Sequence, residues 1–350
     1  MDDNLRFAAM TVGSFPHKDT RQICQLILEK LPNMPIWPQL PRRSFMENMY
    51  VQYSERLPNM VLDAEHAKVT MDTMVDFSEV YTELYENYIT ENLDYFALSK
   101  EYAEGFFGML DVLDSTKGEW VRGQVTGPIS FGLTVVDQGL KPSLYNEFAT
   151  DAIVKNMTMN ARWQIRELKK VRPNVIMFVD EPSMSLFGTA YVSLNREPVV
   201  EMLDEVFMAI KQAGALSGVH CCGNTDWSLL METSANILNL DAYEYIEKLA
   251  LYPDELRSFL DRGGIIAWGI VPNDEGIFGV TAQQLADRLE AGFAMISEKA
   301  VNRGVQIAPE DFYGCSMISP RCGLGPTTVE AAEKVLDVLV ELESILQAKL

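Results

Sequence analysis

Apolar residues run along this chain in two rhythms. Short, nearly unbroken apolar runs of strand length recur at 7–12 (FAAMTV), 34–37 (MPIW), 120–125 (WVRGQV), 174–180 (NVIMFVD), 215–220 (ALSGVH), 235–240 (ANILNL), 264–270 (GIIAWGI) and 312–318 (FYGCSMI). Runs of this kind suit parallel strands covered on both faces. Elsewhere apolar positions return at helical spacing: 143–171, ending in a basic RELKKVR that suits a helix C-terminus, then 197–213 and 281–303. A last helix is predicted after TTVE, where Thr327 and Glu330 have capping-box spacing.

Eight strand–helix units in 350 residues predict an α/β fold of the closed (β/α)8 kind, a TIM barrel. A doubly wound open sheet is the alternative, but TVGSFPH after the first run lacks the G-x-G-x-x-G pattern. Residues 40–119 break the rhythm. Two stretches there, MDTMVDFSEVYTELYENYITENLDYF and KEYAEGFFGMLDVLD, read as helices. They predict a helical insertion between the second and third strands, over or beside the barrel mouth. No Pro- or Ser-rich linker interrupts the chain, so residues 1–350 read as one domain.

Charge narrows the function classes. There are 29 Lys and Arg against 50 Asp and Glu, a net of −21, which disfavours nucleic acid and anionic membranes as partners. The acid concentrates in 61–115, with thirteen acidic residues against Lys68 and Lys100. A solvated helical face accounts for this, with a docking face for a basic partner as the alternative. No apolar run reaches membrane-spanning length, and the start MDDN does not resemble a signal peptide. Five cysteines are few and odd in number, so reduced thiols in a cytoplasmic protein are expected.

A barrel carries its chemistry at the C-terminal ends of its strands. Gly13, Ser14 and His17 follow the first run, and Thr126 with Gly127 and Pro128 the third. Asp180 and Glu181 end the fourth, His220, Cys221 and Cys222 the fifth, Asp241 the sixth, and Cys322 follows the eighth. On an extended chain, residues two apart share a side, so His220 and Cys222 face one point and Cys221 faces away. A disulfide between the adjacent cysteines would be strained. Zinc takes about four nitrogen or sulfur ligands, and Cys322 is the best third after His220 and Cys222. Cys24 and Cys315 read as core. A carboxylate closing an apolar strand needs a partner, which singles out Asp180 and Glu181. Gly13–Ser14 and Thr126–Gly127–Pro128 fit structural turns as well as ligand contacts. His17 is a candidate catalytic residue behind the ligands, or merely exposed.

The segments TVGSFPHKD, VTGPISF, FVDEPSM, VHCCGNTDW and SPRCGLG occur in order from residue 11 to residue 325. Together they resemble the catalytic half of cobalamin-independent methionine synthase, in the superfamily that also holds uroporphyrinogen decarboxylase. The resemblance implies a zinc thiol-methyltransferase with His220, Cys222 and Cys322 as ligands. It places the fourth ligand, a glutamate in the family, nearest Asp241, with Glu244 as second candidate. It further implies that Ser14 binds an amino-acid carboxylate and that Asp180 receives the amino group. Gly13, Glu181 and Thr126 would line the same substrate site. The long first domain of the full-length enzymes is absent, and LPRRSFMENM stands where the family has H-G-E.

The expected reaction is methylation of a thiol, homocysteine above others, from methyl-tetrahydrofolate or a methylated corrinoid, free or protein-bound. A free thiol is mostly protonated at neutral pH, and zinc would hold it as the nucleophilic thiolate. Two alternatives stand beside it. One is a metal-free decarboxylase of the porphyrinogen kind, which leaves His220, Cys222 and Cys322 unexplained. The other is a non-catalytic small-molecule-binding barrel with a structural zinc.

Overall fold

The computed structural model describes residues 3–350. An antiparallel hairpin, β1 (Met60–Asp63) and β2 (Lys68–Met71), precedes a parallel sheet. That sheet holds β3 (Trp120–Thr126), β4 (Asn174–Asp180), β5 (Leu216–Cys221), β6 (Ile237–Leu240), β7 (Ile265–Val271) and β8 (Ser316–Pro320), hydrogen-bonded in chain order. Helices connect the strands, among them Glu147–Leu168, Arg196–Gln212 and Ala282–Val301, and Val329–Gln347 follows β8.

The expected closed eight-stranded barrel is therefore corrected: among the described residues the parallel sheet has six strands, an α/β arrangement. The two N-terminal runs do not form strands. Residues 7–12 contribute a single bridge, Ala9 to Ile318, and Phe7 there has φ +52°, outside the extended region. Residues 34–37 contribute one bridge, Ile36 to Arg122, and Pro35 and Pro38 lack the N–H that a ladder needs. The eighth run is displaced: Pro309–Phe312 is a 3-10 turn and the strand begins at Ser316. The insertion is also not purely helical. It carries the β1–β2 hairpin with four α-helices, Met49–Gln52, Phe77–Val80, Thr82–Ile89 and Glu104–Asp114.

The predicted long helices are present. Thr281 and Gln284 make the capping box of Ala282–Val301. The last helix is capped by Thr328, whose side chain accepts from Ala331 N, one residue beyond the expected Thr327.

Strand alternation divides the core in two. Val175, Met177 and Val179 of β4, Leu238 and Leu240 of β6, and Ile266, Trp268 and Ile270 of β7 pack in the larger apolar cluster with the helices. Their alternates Ile176, Phe178, Ile237, Ile265, Ala267 and Met317 pack in a smaller one with Met10, Met34 and Trp120. Towards the strands' C-terminal ends, the same alternation puts Asp180, His220, Asn239 and Ser319 on the face of the smaller cluster.

Candidate metal centre

Register aligns the polar residues before any side chain is considered. Thr126 pairs with Asp180, Asp180 with His220, His220 with Asn239, and Asn239 with Ala267, one row across five strands. The chain continues past β5 to Cys222 and past β8 to Cys322. A ligand atom from each of His220, Cys222 and Cys322 lies within 4.8 Å of the others. Cys221 is buried in the larger cluster, with its Sγ directed at Gly223 O (3.4 Å). Cys24 is core as expected, while Cys315 is half-buried just ahead of β8.

The three side chains shift one another's protonation. The Cys222 thiol is held well below its ordinary range, first by the hydrogen bond from Cys322 and then by His220, against the opposing effect of burial. Cys322 is raised by that same contact. Burial lowers His220, but Cys222 and Asp180 outweigh it, and the imidazole is raised overall. His220 Nε2 is buried and has no partner in hydrogen-bonding geometry. An orphaned buried nitrogen beside two sulfurs is a donor set that fits a zinc ion.

Asp180 is 6% exposed and its Oδ1 is likewise without a partner. Desolvation raises its carboxyl, countered by His220 and by Arg122. The Arg122 guanidinium is buried on the same face, bonded to Thr11 O and 4.0 Å from the Phe178 ring centroid.

The remaining predicted residues have other partners. Glu181 accepts from Ile129 N (2.9 Å), Ser130 N (2.7 Å) and Ser130 Oγ (2.5 Å), which ties the end of β4 to the helix Pro128–Thr134. Thr126 Oγ1 donates to Met49 O at 2.9 Å. Ser14 Oγ accepts from Gly325 N (3.2 Å), and Ser14 O accepts from Leu324 N (2.8 Å), so the Gly13–Ser14 loop grips the segment after Cys322. His17 lies 3.5 Å from Glu333 on the last helix and is not part of the trio. Asp241 is not part of it either. Its Oδ1 caps a helix through Glu244 N (2.9 Å), and its Oδ2 accepts from Arg321 Nε (3.0 Å).

Three contributors escaped the sequence reading. Asn239 and Ser319 sit fully buried in their strands; Asn239 is the lone polar residue of β6, in phase with His220, and that is the signal that marks it, whereas Ser319 shares β8 with Ser316. Tyr50, the residue immediately after LPRRSFMENM, has its phenol raised by burial and lies close enough to sense Glu181 and Cys222.

No protein-family profile and no curated protein sequence matches this chain. Among solved structures, it is similar to that of a B12-independent methionine synthase from Shewanella sp. W3-18-1 in complex with selenomethionine. The identity is 13%, the match covers 99% of this chain and 98% of that one, and the TM-score is 0.55. At this identity the likeness is one of fold over the whole length of both chains.

Proposed function

We propose that this chain is a zinc-dependent methyltransferase that methylates a thiol, homocysteine first, from methyl-tetrahydrofolate or a methylated corrinoid. The observation that carries the reading is the convergence of His220, Cys222 and Cys322 within 4.8 Å, with His220 Nε2 buried and unpartnered. The full-length similarity to a methionine synthase fold supports it.

Zinc held by these three residues would supply the Lewis acidity that keeps a substrate thiol as thiolate at neutral pH. With Asp241 engaged by Arg321 and its helix cap, His220, Cys222 and Cys322 would be the protein residues that hold the zinc, and the substrate sulfur would join them. Asp180 offers its free, buried Oδ1 to the substrate's ammonium group. Ser14 uses a lone pair on Gly325 N, so its hydroxyl hydrogen remains available to a substrate carboxylate. Sulfur, ammonium and carboxylate are the three handles of homocysteine. Gly13, bonded through its carbonyl to Gln39 N, Thr126, bonded to Met49 O, and Glu181, which holds the Pro128–Thr134 helix, support these groups. His17 stands against Glu333 and the Phe15 ring, away from these contacts.

Metal analysis of the purified protein tests the ligand set. One zinc per chain is expected for the wild type, falling below roughly a tenth in His220→Ala and Cys322→Ser. Zinc retained by both variants would refute it.

A further inference from the structure

His220 Nδ1 lies 2.7 Å from Asn239 Oδ1. Which amide atom faces the imidazole follows from the other side of the asparagine. Asn239 Nδ2 is 2.8 Å from Ala267 O and 2.8 Å from Ser319 Oγ. A backbone carbonyl only accepts, so the group facing Ala267 is the amide N–H. Ser319 spends its hydroxyl hydrogen on Pro320 O at 3.0 Å, so its oxygen too is an acceptor for Asn239. Both amide hydrogens are thereby used, and the oxygen left for His220 can only accept.

We infer that Asn239 is the positioning residue of the metal centre, holding the His220 proton on Nδ1 so that Nε2 is the nitrogen presented to the metal. This rests on the zinc reading above. The Nδ1–H is donated to Asn239 whether the imidazole is neutral or charged, so Nε2 is the position that gives up its proton. The alternative tautomer would bury two facing lone pairs and place a hydrogen where the metal binds. The network also spans the site. It runs from His220 through Asn239 and Ser319 to Pro320, two residues before Cys322, and so couples the ring orientation on β5 to the chain that carries the third ligand. Asn239 is fully buried, and hydrogen bonds are stronger away from bulk solvent.

Nitrogen-15 spectra of histidine-labelled full-length protein, zinc-loaded and then stripped at a pH above the imidazole titration, read the tautomer directly. The chain has three histidines, and His220→Ala assigns the signal. The expected result is a proton on Nδ1 in both states. A proton on Nε2 in the stripped protein would overturn the inference. Zinc affinity by chelator competition is the second readout. Asn239→Leu is expected to weaken it roughly 10–100-fold. Wild-type affinity in a folded Asn239→Leu protein would also overturn it. If that variant does not fold, the wild-type spectrum decides. Should the wild type take up no zinc, the functional reading fails, while the stripped-protein spectrum still decides the role of Asn239.

Discussion

Arg321 Nε lies 3.0 Å from Asp241 Oδ2, and this contact keeps from the His220, Cys222 and Cys322 trio the carboxylate that resemblance would place there. Asp241 is 3% exposed, its second oxygen caps the helix Ala242–Leu249, and Arg321 also lies over the Tyr243 ring, 5.5 Å from its centroid. Asn is as good a helix cap as Asp, so Asp241→Asn keeps the cap and loses only the ionic partner. This variant is expected to bind one zinc per chain while losing about 1–3 kcal/mol in urea unfolding. Metal content and unfolding midpoint together check it; loss of zinc at wild-type stability would make Asp241 a ligand.

The segment after Cys322 is packed against Ser14. A Cβ at Gly323 would overlap Ser14 Oγ, the atom that accepts from Gly325 N. Gly323→Ala is expected to weaken zinc binding roughly tenfold by pushing the Cys322 loop outward. Ser14→Ala in the same chain removes the obstructing oxygen and should recover most of that loss. A double-mutant cycle on zinc affinity measures the coupling. Additive effects would mean that Ser14 does not set the Cys322 loop.

How much of this was legible in the sequence depended on local competition. The runs at 120–125 and 174–180 are apolar and free of proline, and they became β3 and β4 almost residue for residue. The MPIW run has the same apolarity, but Pro35 and Pro38 deny it a ladder. Phe312 and Tyr313 look like strand residues, yet they pack as a turn against Phe293, because apolarity alone does not distinguish the two. The hairpin Met60–Met71 was hidden in an acidic stretch read as helix. Its turn depends on Ala67 at φ +51°, a conformation that alanine does not advertise. At the site, the i, i+2 spacing of His220 and Cys222 revealed their common face, and strand ends supplied Cys322. The partner of Asp241 was not legible, because Arg321 is adjacent to Cys322 in sequence and its direction depends on the packed loop.

Glu181 makes the fold pH-dependent. Burial raises its carboxyl from 4.5 to about 7, outweighing the three donors from Ile129 and Ser130. Its folded pKa lies above the unfolded one, so the folded state binds more protons between these values. The contribution is fully present below about pH 4.5 and is lost as pH rises through about 7. Glu181→Gln cannot ionise, so stability of the wild type relative to this variant should fall by about 3 kcal/mol from pH 4 to pH 8. Urea unfolding of both proteins across that range checks it; parallel curves would show that Glu181 titrates in the folded protein as it does in the unfolded chain.

The central claim is methyl transfer to a thiol at the His220, Cys222 and Cys322 trio. The direct measurement incubates zinc-loaded protein with homocysteine and, in parallel, methyl-tetrahydrofolate or methylcobalamin, and quantifies methionine. The account predicts methionine with one of the two donors, and a rate lower by roughly 100-fold or more in Cys322→Ser. No methionine from the zinc-loaded protein with either donor, or equal rates in wild type and Cys322→Ser, would contradict it.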